Sequence, residues 1–516
     1  MLIDDQSDLI EALSRPETYG FKASHPIRVK QTNIAVVFLT GDAAYKLKKG
    51  VKFPYADYST VEKRKAACEK ERDLSMLWAP ELNPAVVPAV KTAKGYAVGE
   101  KSDGEVVDWL VRMREFPEDM LFDALADNGD LDRFEMMDTA EKIFKMHQAA
   151  PVVMTRDPVE IIRGRIVENN MMIRCFVPDL FDAEDVDELE AEQNKALDAV
   201  SDLLRRRREN GKIRVCHGDL TLRNIAMADG KVTIFNPIEF NDDLTQIDVL
   251  YDFAFLLVDM ESKGLRRLAS ILFNHYMAMS ADWDGVPALP LFLSCRAAVN
   301  AYVFAEISRD IKDKFEANLM ANRAYEHLVM ARRFLKPEKT ILVACGGLSG
   351  SGKSRIGREA APFIGNPPGA VILRDDVLRK NMLGVGLEDY LDESVYTPEN
   401  EAKVFDKLCE ECRRILATGQ SVVADALFHE PAQRAKIEQI AREMNVDFQG
   451  FWVDAPLEVR KQRVLSRQRN PSDVKTPEEL DKQLNKDVGA ITWDKIDTSG
   501  DRMATLAQVR SLLSKR

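Results

Sequence analysis

Gly347-Leu348-Ser349-Gly350-Ser351-Gly352-Lys353-Ser354 fits the pattern G-x-x-x-x-G-K-[ST] and directly follows a short apolar run, Thr340-Ile341-Leu342-Val343-Ala344-Cys345. The run reads as a buried strand, and the residues from Ser354 onward open a helix. Glycines in such a turn let backbone N–H groups cradle phosphates, Lys353 reaches the outer phosphate oxygens, and the Ser354 hydroxyl can ligate Mg2+. The positive end of the new helix faces the anion. Gly347, Ser349, Gly350, Ser351, Gly352, Lys353 and Ser354 are therefore the expected nucleotide-binding residues. The nucleotide is ATP or GTP, and Ser354 is also an expected metal ligand.

Downstream, apolar runs recur at Ala370–Leu373, Ser421–Ala424 and Phe448–Val453, separated by the helical stretches Glu401–Leu416 and Pro431–Met444. That alternation predicts a parallel sheet with crossover helices. Upstream, Lys336-Pro337-Glu338-Lys339 separates a helical segment, Ala317 to Leu335, from the first strand. This punctuation sets the expected domain boundary, 1–337 and 338–516. Ligands gather at the carboxyl ends of strands in open α/β sheets, and two such ends carry charge. Arg374-Asp375-Asp376 and Arg379 follow one strand, and Asp425 ends another. An Asp there can accept the proton of an attacking hydroxyl and an Arg can hold an acceptor anion, although each Asp would serve equally as a helix cap. Arg460, Arg463 and Arg467 share one helical face. They suit a lid over a transferring phosphoryl group, the plainer reading being an arginine-rich surface helix.

The first 337 residues follow another pattern. Ile34–Leu39 and Ala43–Leu47 predict a hairpin turning at Gly41-Asp42, followed by a helix from Thr60 to Leu77 and strands near Val86–Val90, Tyr96–Val98 and Val106–Met113. From Leu131 the pattern is helical, broken by Val215 to Phe240. The outline is a small β-rich lobe, about 1–115, and a larger helical lobe, about 116–337. Arg205-Arg206-Arg207-Arg208 reads as a solvated helix face.

Within that break, Val215-Cys216-His217-Gly218-Asp219-Leu220-Thr221-Leu222-Arg223-Asn224 places an Asp five residues before an Asn. In kinase catalytic loops the Asp orients the hydroxyl and the Asn holds Mg2+. Asn236 lies where a second metal ligand belongs, and Lys46 on a strand with Glu71 on the next helix supplies the expected ion pair over the phosphates.

Composition bounds the rest. The 516 residues carry a net charge of −12, from 72 Lys+Arg and 84 Asp+Glu. Residues 338–516 hold 27 basic and 28 acidic residues, leaving 45 and 56 for residues 1–337. Such acidity argues against a dedicated duplex-DNA binder. No run approaches the roughly 18 apolar residues of a membrane helix, so no membrane is expected. Seven scattered cysteines suggest free thiols and a cytoplasmic setting. Cys409 and Cys412 have redox-motif spacing but lie within an amphipathic helix, and His147 reads as closing a helix.

On these residues, roughly 339–516 resemble the small P-loop kinases of the polynucleotide kinase, zeta-toxin and gluconate-kinase group. The likeness implies Asp376 as the base, Lys353 and Asp425 as catalytic partners, Arg379 and Arg434 as acceptor-binding residues, and Arg463 with Arg467 as the lid. The first part is similar to the aminoglycoside phosphotransferase family, within the protein-kinase-like fold. More narrowly, the whole order, including Tyr251-Asp252-Phe253-Ala254-Phe255-Leu256-Leu257, resembles bacterial proteins that fuse such a domain to a P-loop kinase. The likeness implies Asp219 as a base supported by His217, Asn224 and Asn236 at the metal positions, and Met113 near an adenine-binding hinge. The sequence departs from that family at Thr221, where it usually has His, and at Asn236, where it has Asp. A neutral amide attracts Mg2+ less than a carboxylate, so this domain is either a working kinase or one that binds without transfer, with Glu239 or Asp242 as substitute ligands. The implied fold class is α/β and α+β. The implied function is ATP- and Mg2+-dependent phosphorylation of a small-molecule hydroxyl. A polynucleotide 5′-hydroxyl kinase and a toxin-like module controlled by a ligand-sensing first domain are the alternatives.

Overall fold

The computed structural model describes residues 5–53, 56–99, 103–466 and 488–514. Their contacts group the chain into two compact units that do not follow chain order. One comprises Met1–Leu131, Lys145–Ile162 and Leu204–Asp259, the other Asp132–Phe144, Arg163–Leu203 and Met260–Arg516.

The first unit is built on a six-stranded antiparallel sheet. In spatial order its strands are Arg28–Gln31, Ala35–Leu39, Ala43–Lys48, Glu105–Arg114, Ala85–Thr92 and Gly95–Val98. Val36, Phe38, Leu47, Ala89 and Leu110 share its buried core with Leu9 and Leu13. Burial of a side chain such as Phe38 contributes about 2 kcal/mol. The helix Val61–Trp78 starts where the Thr60 hydroxyl accepts from the Lys63 N–H, and it carries Glu71 inward. Ile213–Val215 pairs with Gln246–Asp248, and Ile225–Ala228 forms a hairpin with Lys231–Ile234. These two short ladders frame the segment 216–224. The arginine run is not wholly solvated: Arg207 is buried and pairs with Asp248, Nε to Oδ2 at 2.7 Å. A charge in that position persists only because a buried carboxylate meets it.

In the second unit a five-stranded parallel sheet has the order Val371–Arg374, Val422–Asp425, Ile341–Gly346, Asp447–Asp454, Asp494–Asp497. Val343, Cys345, Ile356, Val423, Phe451 and Val453 fill the core between the central strands and the helix Lys353–Ala360. The outer strand Val371–Arg374 would expose unpaired backbone on its free side. Asn274, on the helix Arg266–Ser280, covers it: Ile372 N–H donates to Asn274 Oδ1 at 2.7 Å, and Asn274 Nδ2 donates to Ala370 C=O at 3.2 Å. Ala278 from the same helix packs with Val377 and Leu387. Residues before Lys336 thereby contribute to the parallel-sheet unit.

One stretch, Trp283–Asp310, reaches a mean hydropathy of 1.4 in an 18-residue window, which the sequence expectation overlooked. Two thirds of that window (67%) is buried inside the protein, as in a core helix. It forms a hairpin partner for Lys314–Leu335, which Asp313 caps by accepting from the Phe315 and Glu316 N–H groups. Cys409 and Cys412 lie on the buried side of the helix Pro398–Leu416, where burial pushes the Cys409 thiol up to about 11 and raises the Cys412 thiol well above the usual range. Thiols in that state are unreactive packing groups.

Candidate active sites

At the head of the helix Lys353–Ala360 the chain turns through left-handed glycines. Gly350 has φ +80°, and a Cβ there would sit 2.7 Å from the Arg460 carbonyl oxygen; Gly347 has φ +150°, with its Cβ position 2.3 Å from the Val453 carbonyl oxygen. No other residue fits either place, so the loop is held close to its supporting strand and helix. Sheet register brings the charged strand ends to one level. Cys345, two residues before Gly347, lies opposite Asp425, and Asp425 lies opposite Arg374. The phosphate loop, Asp425 and the Arg374-Asp375-Asp376 turn therefore line one edge of the sheet, at the carboxyl ends of its strands.

Asp376 is buried and accepts from an Arg374 Nη. Burial alone would raise its pKa, but Arg374 and then Lys353 outweigh that and hold the carboxyl below the usual Asp range. Arg374 is also drawn to Asp425, Nε to Oδ2 at 3.8 Å. Asp425 is 1% exposed, and neither of its oxygens has a hydrogen-bond partner. A buried carboxylate left without donors is costly unless something cationic or a water meets it. With the Ser354 hydroxyl, Asp425 is the donor set that a hard divalent cation takes, so these residues fit Mg2+.

Three arginines are placed differently from the expectation. Arg463 donates to the carbonyls of Ser351 (3.2 Å) and Thr498 (2.6 Å) and to the Thr498 hydroxyl (2.8 Å), so its guanidinium ties the phosphate loop to Thr498 instead of extending as a lid. Arg460 holds the same loop through Ser349 C=O at 2.9 Å. Arg434 spends both Nη atoms on the carbonyls of Phe428 and His429 and of Val488 and Ala490, which ties together two loops and leaves the acceptor role to others. Arg379 is buried, donates to Glu401 at 2.9 Å and lies 5.0 Å over the Tyr396 ring. Glu401 and Tyr396 were not singled out in the sequence, because both follow a turn whose return toward Arg379 is a tertiary matter. Arg467 lies outside the described residues.

The first unit carries its own constellation. His217 is buried, and burial lowers its pKa, so its ring is neutral at pH 7. Its Nδ1 accepts from the Asp219 N–H at 3.3 Å, which leaves Nε2–H to donate to Phe235 C=O at 2.8 Å. Asp252 clamps the same loop by accepting from the His217 N–H (3.1 Å) and Gly218 N–H (2.8 Å). Asp252 sits in the first turn of the helix Val249–Ser262, and a carboxylate inside the apolar run Val249–Val258 was the available signal. His147 joins it at 3.2 Å, so this histidine anchors the clamp as well as lying near a helix end. His147, Cys216 and Asp252 come within 4.8 Å of one another, yet both Asp252 oxygens already accept backbone N–H groups.

Asp219 accepts from Asn224 Nδ2 at 2.8 Å and pairs with Arg223 at 3.0 Å. Lys46 pairs with Glu71 at 2.8 Å, as expected, and also donates to Asn236 Oδ1 at 2.8 Å. Asn236 Nδ2 in turn donates to Asn224 Oδ1 at 3.2 Å. Both amide oxygens expected to face a metal are thus already accepting N–H groups. Lys48, wholly buried, bridges Glu71 and Glu239, and Tyr58 also donates to Glu239. Glu239 is therefore consumed as a counter-ion, and Asp242 is exposed and bound to Lys70 at 2.7 Å. Neither serves as the substitute ligand. The residues of this site do not fit Mg2+. Met113 lies beside Ala44 in the sheet, two residues from Lys46 along the neighbouring strand.

Residues 342–486 match the family model described as an AAA domain, and residues 170–289 match that of the phosphotransferase enzyme family. An uncharacterized protein of Mycobacterium tuberculosis (strain ATCC 25618 / H37Rv) is 28% identical over 508 residues, covering 96% of this chain and 98% of its own. Among solved structures, a gluconokinase from Sinorhizobium meliloti 1021 is similar over 34% of this chain and 95% of its own, at 20% identity and a TM-score of 0.24. A choline/ethanolamine kinase family protein from Mesorhizobium loti covers 63% of this chain and 99% of its own, at 13% identity and a TM-score of 0.37. With a phosphotransferase-family segment and a P-loop segment in one polypeptide, the chain is a nucleotide-using phosphotransferase of the kinase class.

Proposed function

We propose that the chain transfers the γ-phosphoryl group of ATP, or GTP, to the hydroxyl of a small molecule, and that the P-loop part, residues 338–516, carries the chemistry. The observation behind this reading is the meeting of the phosphate loop, the ionised Asp376 and the hydrogen-bond-free Asp425 at one sheet edge. Backbone N–H groups of the loop, such as those of Gly350 and Gly352, and the Lys353 ammonium would hold the β- and γ-phosphates; the Gly347 and Ser351 N–H groups already donate to the Leu427 and Leu348 carbonyls. Ser354 and Asp425 would hold Mg2+, which when bound neutralises phosphate charge.

Phosphoryl transfer through a loose transition state asks the protein for position and charge more than for proton abstraction. A carboxylate held below its ordinary pKa is a weak base, which suits that demand. Asp376 orients the acceptor hydroxyl by accepting its hydrogen bond and takes the proton as the new P–O bond forms. Meanwhile the bond from the γ-phosphorus to the β–γ bridging oxygen breaks and the nucleoside diphosphate leaves. Arg379, stacked on Tyr396 and steadied by Glu401, would hold the acceptor. Arg460 and Arg463 fix the loop carbonyls so that its N–H groups point at the phosphates.

The test is transfer of label from γ-labelled ATP into a small-metabolite extract and, separately, onto a 5′-hydroxyl oligonucleotide, with wild type and Asp376→Asn. Label in small molecules, with kcat lowered and KM for ATP little changed in the variant, is the expected result. Label on the oligonucleotide alone would overturn the small-molecule reading.

A further inference from the structure

The self-contained ion network around Asn236 supports an inference independent of the P-loop chemistry. We propose that the amino-terminal site binds a nucleoside triphosphate without a divalent cation and holds it without transferring its phosphoryl group. The juxtaposition that carries this is Lys46 Nζ, Asn236 and Asn224 linked in a chain of hydrogen bonds at 2.8 and 3.2 Å.

A metal position needs oxygen lone pairs facing the cation and negative charge to attract it. Here Asn236 offers one oxygen, already accepting from Lys46, and its amide N–H group covers the Asn224 oxygen. Every carboxylate around the cluster has its own cation or donor. Glu71 has Lys46 and Lys48, Glu239 has Lys48 and Tyr58, and Asp219 has Arg223 and Asn224. Within this hydrogen-bonded set three ammonium or guanidinium groups meet three carboxylates, with Asp259 and Asp123 facing Arg223 from outside it, so the carboxylates nearest Asn236 are already neutralised by their own partners.

The same substitution changes what a bare triphosphate meets. A carboxylate at position 236 would repel it and make a bridging cation necessary. The amide removes that repulsion and leaves Lys46, which is partly exposed, as a direct phosphate partner. Without the cation the γ-phosphoryl group lacks the neutralisation that transfer requires, so bound nucleotide persists.

The experiment uses the full chain with Lys353→Ala, which silences the other phosphate loop, and a fluorescent ATP analogue followed by anisotropy in EDTA and in Mg2+. Binding in EDTA is expected, unchanged within about twofold by Mg2+, and reduced about tenfold or more by adding Lys46→Met. In the Asn236→Asp background, Mg2+ should strengthen binding by about tenfold or more. Circular dichroism shows whether each variant is folded, and the Asn236→Asp comparison decides the matter even if Lys46→Met is not. No binding in EDTA, or wild-type-like Asn236 binding that strengthens tenfold with Mg2+, would overturn the proposal. Neither result bears on transfer by the P-loop part, which the label experiment reads separately.

Discussion

Two clusters of charged and polar side chains, one in the P-loop part and one in the amino-terminal part, are built on opposite principles. In the P-loop part a buried carboxylate, Asp425, is left with no hydrogen-bond donor at the sheet edge that also carries the phosphate loop. In the amino-terminal part Lys46, Lys48, Glu71, Asp219, Asn224, Asn236 and Glu239 satisfy one another. Unsatisfied buried polarity is expensive, so a fold retains it where a ligand completes the set. A site whose groups complete themselves is stable empty and makes fewer demands on a cation. The amide at Asn236 already set the amino-terminal site apart in the sequence, and the hydrogen-bond partners of the two sites give that difference its physical form.

The contrast can be broken most forcefully at Lys48. Replacing it with Met leaves Glu239 buried with only the Tyr58 hydroxyl and Glu71 with only Lys46, a loss expected to cost about 3–5 kcal/mol. Chemical denaturation should show it, and a change under 1 kcal/mol would mean that the network is not the tight unit described. Asn274→Ala uncovers the outer strand that leads into Arg374-Asp375-Asp376. The expected cost is about 1–3 kcal/mol, with a fall in transfer activity that Asn274→Gln does not repair, since the longer amide misses Ile372 N and Ala370 O. Equal stability of Asn274→Ala and wild type would remove residues 266–280 from the account of the P-loop site.

A smaller and more specific effect is expected from pH. Activity that depends on ionised Asp376 is complete above its lowered pKa and is lost as pH falls through it, below the ordinary 3.8. Arg374→Met removes the main stabilising charge while burial remains. The acid limb of the rate profile should then move up by about one unit or more. An acid limb that stays in place would assign the proton to another group.

The parallel-sheet alternation, the phosphate loop and the first-domain hairpin were legible because each is written in local physics: apolar runs of strand length, glycines where φ must be positive, an Asp or Thr before a helix. The juxtaposition of Asp219 and Asn224, five residues apart, was legible for the same reason. What the sequence hid are partners far apart in the chain. Lys48 and Glu239 are separated by 191 positions, and Asn274 and Ile372 by 98. Arg434 and Arg463 carried the residue type that suits an acceptor clamp and a lid, but type does not say whether a guanidinium faces substrate or its own backbone carbonyls. Nor could the punctuation at Lys336-Pro337 reveal that the helix Arg266–Ser280 serves the sheet that follows it.

The most direct test sets Lys353→Ala and Asp219→Ala side by side with wild type and measures transfer from γ-labelled ATP into small-molecule acceptors in Mg2+. The account predicts a fall of about a thousandfold with Lys353→Ala and near wild-type transfer with Asp219→Ala. Transfer that survives Lys353→Ala and vanishes with Asp219→Ala would place the chemistry in the amino-terminal site and contradict it.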